Sequence, residues 1–356
     1  MLMDTLELFA KLFLIITVLF TVSLYLIAII LGPALFYFTP EGLSTSMVHL
    51  KTLPVWFFTQ TIYLPISLNI GVLFFGLWSI FILSFIAAWK LRENFYNVIK
   101  DGVVRPTQKL FNNCLFAMPV LNGMVLIVVL LAQSLQEAGG IPTGTSPLPG
   151  EPFLDFLDLS YAAVVEETFF RLIPIGAVIF VILFVNKKNF HFSMKENLRL
   201  FFASFLFPDS AKRMVGTQSI SENGVLHGIS IEEWGMLVFT SIVFGLAHFN
   251  PGVSWELGKI SSASIAGFAI GFSYLLYGAQ ASIITHWFFN VYTYVFTILS
   301  GFYPPVESFA NAVVFISIFV GLLGWLTIIA LGIKKLLRNE ETDKDKIGYV
   351  ESLSIS

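Results

Sequence analysis

Three short patterns of ionisable and amide side chains interrupt otherwise apolar stretches of this 356-residue chain. They are Glu166-Glu167 followed by Arg171, Phe244 followed by His248, and His286 followed by Asn290, read as EExxxR, FxxxH and HxxxN. Residues four apart on a helix lie on one face about one turn distant, so Glu167 and Arg171 are spaced to pair, with the acid N-terminal to the base. Glu166 is rotated roughly 100° from Glu167 and faces another direction, free of Arg171, which makes it the candidate general base. His286 and Asn290 share a face and present an imidazole and an amide to one substrate oxygen. His248 comes just before Asn250-Pro251-Gly252, a strong helix stop, where the negative end of the helix dipole favours a proton or cation. Hydrolysis of a peptide bond needs an activated water and preorganised donors for developing negative charge. This set supplies both without Ser or Cys.

The elements that must position these groups are membrane helices. Hydrophobic residues make up 56% of the chain and charged residues only 12%, with a mean hydropathy of +0.82, whereas soluble domains carry about 25% charged residues. Apolar runs near 20 residues recur, about the length that crosses a hydrocarbon core. Spans are expected near 6–31, 66–88, 114–134, 156–185, 234–249, 258–277, 279–299 and 309–334. This predicts an all-α polytopic bundle of about eight transmembrane helices. The first run is longer than a signal-peptide core and no small-residue cleavage site comes after it, so it reads as a span. The domain reading is an N-terminal three-span region (1–137), a Pro/Gly-rich loop (138–152), a core carrying the motifs (153–305), and a last span with a charged tail (306–356). Residues 197–207 are apolar but flanked by basic residues and too short to span, which suggests an interfacial or re-entrant piece.

Lys and Arg cluster after the second, fourth and eighth spans, while the loop after the third has none. Cytoplasmic loops are enriched in these residues, so both termini are expected in the cytoplasm of a multi-pass protein of the cell membrane. A net charge of −3 with short basic clusters gives no continuous basic surface for nucleic acid. One cysteine, Cys114, excludes an intramolecular disulfide and any cysteine-rich metal site.

The ordered set of the three motifs on successive membrane helices resembles the CPBP (CAAX protease, or Abi) family of intramembrane proteases, over about residues 150–300. The resemblance implies an endopeptidase acting on a membrane-presented peptide, with prenylated CAAX-type tails among the family's substrates. Carried onto this chain, it implies that Glu166 activates water, His248 is its partner, and His286 with Asn290 stabilises the oxyanion. Glu167, Arg171 and Phe244 would support them. A zinc ion held by Glu166, His248 and His286 is one reading of the same residues. There is no HExxH, and a metal-free glutamate mechanism fits equally.

Other readings are available for each group. Intramembrane Glu, Arg and His also mark proton relays, so a proton-coupled transporter is an alternative, against which stands the lack of an internal repeat. A noncatalytic membrane scaffold of the same family is a third. Glu167 with Arg171 reads first as a structural ion pair, and Asn290 alone would mean little. The run Ser261, Ser262, Ala263, Ser264, Ala266, Gly267 and Gly271 reads as a close-packing helix face. His49, His191 and His227 fall between spans, where solvated or interfacial roles are the default. Oligomeric state is not legible.

Overall fold

The computed structural model describes residues 2–57, 60–186, 193–250 and 252–354, with side chains between residues 8 and 333 apart from 56–60. Lys187, Lys188, His191 and Pro251 lie outside the described residues. The chain is a helical bundle. Helix α1 (Leu2–Phe38) is followed by a small antiparallel ribbon, in which β1 (His49–Leu50) pairs with β4 (Leu68–Asn69) and β2 (Leu53–Phe57) with β3 (Gln60–Leu64). Helices α2 (Ile70–Lys90) and α3 (Cys114–Ala138) complete the N-terminal part. Then come α4 (Pro152–Asn186), the shorter α5 (Met194–Leu206), α6 (Pro208–Val215) and α7 (Ile220–Gly228), and α8 (Ile231–Ala247). Helix α9 (Leu257–Tyr277) leads through Gly278 into α10 (279–302), and α11 (Glu307–Ser354) ends the described chain.

Six of these helices are long and apolar enough to cross a membrane, or seven if α7 and α8, bent by 69°, form one broken span. The expected count of about eight differs at the segment 279–299. It forms helix α10, long enough at roughly 36 Å of rise, but it is not among the apolar six. Gln280, Ser282, Thr285 and His286 are all buried along it, so its surroundings are protein rather than lipid and apolarity is not required. The second span starts at Ile70 rather than 66, because the preceding stretch pairs as the ribbon. Its Val55, Ile62 and Tyr63 suit a strand and raise the hydropathy of the same window, which hides the strand from a span search. Residues 197–207 lie in α5 and the turn after it. At about 20 Å of rise α5 is too short to span, and Met194, Leu198, Phe201 and Phe202 are exposed along it, as an interfacial helix requires.

Two ends of the bundle can be told apart by their contacts. At one end Lys11 donates to the Arg105 carbonyl at 2.8 Å, Tyr277 donates to the Phe111 carbonyl at 2.6 Å, and Arg92 pairs with the buried Asp209 at 2.8 Å. This end holds the loop 91–113 and helices α5 and α6. At the other end the Pro/Gly-rich loop docks on the 252–258 stretch: Glu256 N–H donates to Thr143 O at 2.9 Å and Gly258 N–H to Pro142 O at 2.8 Å. Gly144, at φ +79°, is needed for that docking, since a Cβ there would lie 2.7 Å from the Glu256 nitrogen. Tyr294 reaches Asp155 at 3.2 Å and Tyr161 the Pro54 carbonyl at 2.5 Å at this same end.

Helix α8, which carries Phe244 and delivers His248, is started firmly. Ser230 accepts from the Glu233 N–H at 3.3 Å while the Glu233 carboxylate accepts the Ser230 N–H at 2.7 Å, a reciprocal capping box. The same carboxylate takes Lys212 at 2.5 Å, tying α6 to α8. The small-residue face of α9 lets α8 approach closely: Gly245 sits against Ile260 and Ser264, and Gly267 against Phe244. Cys114 is buried and free, and His49 and His227 are exposed.

Candidate active site

Both helices that carry acid and imidazole change their winding at the motifs. In α4 the segment Thr168–Leu172, which includes Arg171, is a π turn closed by Ile173 N–H on Thr168 O. In α10 the π turn is Phe288–Tyr292, which includes Asn290. A π turn places an extra residue in one turn and rotates the rest of the helix by about 100°. Such bulges recur at functional sites. Pro174 lies just beyond the first. It has no N–H to donate to the carbonyl of Phe170, so the loosened ladder is a local consequence of sequence, and the helix continues through Asn186 without a break.

Glu167, Arg171 and His286 form the buried foundation. Arg171 donates Nη1–H to Glu167 Oε1 at 3.1 Å and Nη2–H to the Gly267 carbonyl at 3.0 Å. His286 Nδ1 lies 2.7 Å from the same Glu167 oxygen. A carboxylate paired with arginine accepts, so Nδ1 carries the proton and Nε2 is left with its lone pair. Asn290 donates its amide N–H to that Nε2 at 3.1 Å. Side chains of both Glu167 and Arg171 are 0% exposed. The Arg171 guanidinium also lies over the Phe244 ring, 4.2 Å from its centroid, a desolvated cation–π contact of about 2 kcal/mol. Phe244 touches both imidazoles, with ring centroids 4.5 Å from His248 and 5.9 Å from His286. One phenyl ring thus spaces the two histidines and covers the arginine.

Above this foundation sits Glu166. Its Oε2 lies 3.7 Å from His286 Nε2 and has no hydrogen-bond partner in the protein. That separation is too long for a direct hydrogen bond, so the carboxylate stands beside the imidazole without being bound by it. His248 is held by Nδ1 against the Phe244 carbonyl at 2.7 Å, which leaves Nε2 as acceptor. The nominal depths of Glu166 and His286, estimated from opposite ends of their helices, differ in the sequence. In the fold the two meet, since α4 and α10 pack side by side and long side chains close the remaining gap.

The zinc reading needs Glu166, His248 and His286 to converge with free lone pairs. Among the described residues no three His, Cys, Asp or Glu side chains form a metal-binding group. His286 faces Glu167 through Nδ1 and Asn290 through Nε2, so neither nitrogen is free to ligate. These residues do not fit a zinc ion held by that trio.

One participant was not singled out by sequence. Lys259, in the first turn of α9, stands 3.8 Å from the Trp255 ring centroid, with its ammonium in electrostatic reach of the Glu166 carboxylate. A lysine inside an otherwise uncharged span is costly, and that cost was the available signal. Gly267 matters through space alone: a Cβ would lie 2.9 Å from both Arg171 Nη2 and a Phe244 ring carbon. Gly267→Ala is therefore expected to push Arg171 off its carbonyl and lower activity at least tenfold with a smaller loss of stability. A coupled activity and thermal-melt measurement checks it, and unchanged activity would show that the arginine seat is not tight.

Fold and site together define a polytopic helical membrane protein with a Glu–His–Asn centre enclosed by its helices. Residues 151–292 match the family model described as "Rce1-like: Type II CAAX prenyl endopeptidase Rce1-like". That matched stretch contains all seven motif residues, and the match is consistent with the CPBP (CAAX protease) family. No curated protein and no solved structure matches the chain.

Proposed function

We propose that the protein is an intramembrane endopeptidase that hydrolyses a peptide bond in a membrane-presented substrate by glutamate-activated water. The observation that carries this reading is the unpartnered Oε2 of Glu166 at 3.7 Å from His286 Nε2, inside a stretch that matches a protease family. Glu166 takes a proton from a water held between itself and His248, and the hydroxide attacks the scissile carbonyl carbon. Asn290 spends one amide N–H on His286 and has a second, which donates to the tetrahedral oxyanion. Glu166 then returns the proton to the leaving amine, the C–N bond breaks, and the carboxylate is regenerated. Glu167 holds His286 in the tautomer that this geometry requires, and Arg171 holds Glu167. His248, fixed through Nδ1, offers Nε2 to the water or to the departing proton.

The test is cleavage of tail peptides, prenylated and unmodified, by purified protein, with products identified by mass. Asn290→Ala is expected to lower kcat about 10²- to 10³-fold with little change in KM, the loss typical of one oxyanion donor. Wild-type rates in that variant would remove Asn290 from the mechanism. Substrate flux in proteoliposomes that depends on Glu166, without proteolysis of any peptide, would favour the transporter reading.

A further inference from the structure

The candidate site is not midway through the bundle, and the end it approaches is the one poor in basic residues. Helix α9 gives a ruler. Arg171 Nη2 bonds the Gly267 carbonyl, ten residues or about 15 Å along α9 from Leu257. Glu166 lies five residues earlier on α4, which runs in the same direction, and so stands about 7 Å nearer the Leu257 end. Lys259 is two residues from that end and His248 is the C-cap of α8 beside it. Burial grades the same way. Arg171 and Glu167 are 0% exposed and His286 4%, whereas Glu166 is 17% exposed and His248, Asn290 and Lys259 are half-buried. Toward the far end, Thr285 and Tyr274 are fully buried. The less buried side of the site therefore faces Trp255 and the 252–256 turn.

The charge count separates the two ends. Loops 91–113 and 193–230, at the far end, carry Arg92, Lys100, Arg105 and Lys109, and Lys195, Arg199, Lys212 and Arg213. At the near end, loops 139–151, 248–256 and 302–306 carry no Lys or Arg, and the ribbon region 39–69 carries only Lys51. Short loops rich in Lys and Arg stay in the cytoplasm.

We infer that the site opens to the non-cytoplasmic face of the membrane, so that its substrate is a peptide segment exposed on that face, such as an exported or membrane-anchored chain, rather than a cytosolic tail. The inference rests on the endopeptidase reading for the word substrate, but its geometry can be tested without any cleavage. In a Cys114→Ala background, Val253→Cys (native side chain 77% exposed), Lys259→Cys and Met194→Cys (native side chain 89% exposed) are labelled with a membrane-impermeant maleimide, in intact spheroplasts and after permeabilisation. Variants are used only if their melting matches the background. Val253→Cys and Lys259→Cys are expected to label in intact spheroplasts and Met194→Cys only after permeabilisation. The reverse pattern, or labelling of Lys259→Cys only after permeabilisation, would overturn the inference. A peptide assay that finds no proteolysis would sink the enzymatic reading while leaving this labelling map standing.

Discussion

Glu166→Gln is expected to lower kcat/KM by about 10²- to 10⁴-fold, the range that a positioned general base contributes, while the protein folds and melts as the wild type does. The amide keeps the size of the carboxylate but cannot take a proton. Stability should hold because Oε2 has no protein partner to strand and because the ion pair beneath it belongs to Glu167 rather than Glu166. Activity and thermal melting measured on the same detergent preparation separate the two effects. Wild-type turnover in Glu166→Gln would mean that the water is activated elsewhere, and equal loss of melting temperature and activity would mean that the residue is structural.

Arg171→Met should act in the opposite sense. The guanidinium is fully buried, pairs with Glu167 and caps the Gly267 carbonyl, so its removal strands a carboxylate without water to solvate it. Breaking one partner of a buried pair costs about 3–5 kcal/mol, a large part of the stability of a membrane bundle. Most of the variant should fail to extract as folded protein. Adding Glu167→Gln removes the stranded charge and is expected to recover part of the stability, a coupling that a double-mutant cycle measures directly. It should not recover activity, because His286 Nδ1 would then face a neutral amide and its tautomer would no longer be held. Additive losses in the double variant would show that the two side chains do not act as a pair.

Much of the candidate site was legible because ionisable groups in lipid are expensive and therefore stand out against apolar residues. Spacing then supplied real geometry. The pairing of Glu167 with Arg171 comes from four residues on one helix, as does the contact of Asn290 with His286. Lys259 escaped because it lies in a first turn, where a lysine can be taken for one that reaches the membrane surface, and nothing local in sequence links it to Glu166. The ribbon 49–69 escaped because apolar strand residues and apolar span residues read alike in a long window. The π turns escaped because they alter winding by a single residue, which no periodicity over a helix of this length resolves.

By itself, the sequence determined that the chain is a membrane bundle, since its apolar runs have nowhere else to be stable. It also pointed to seven candidate side chains and to which of them pair within a helix, since helical spacing is local. Only the tertiary structure decided that Glu166 meets His286, that one phenyl ring spaces two histidines, and that no three ligands converge for zinc among the described residues. It also decided that the polar helix α10 lies inside the bundle. Each of these depends on how separate helices pack at particular depths and rotations. That is a property of the close contacts between α4, α8, α9 and α10, which no single segment encodes.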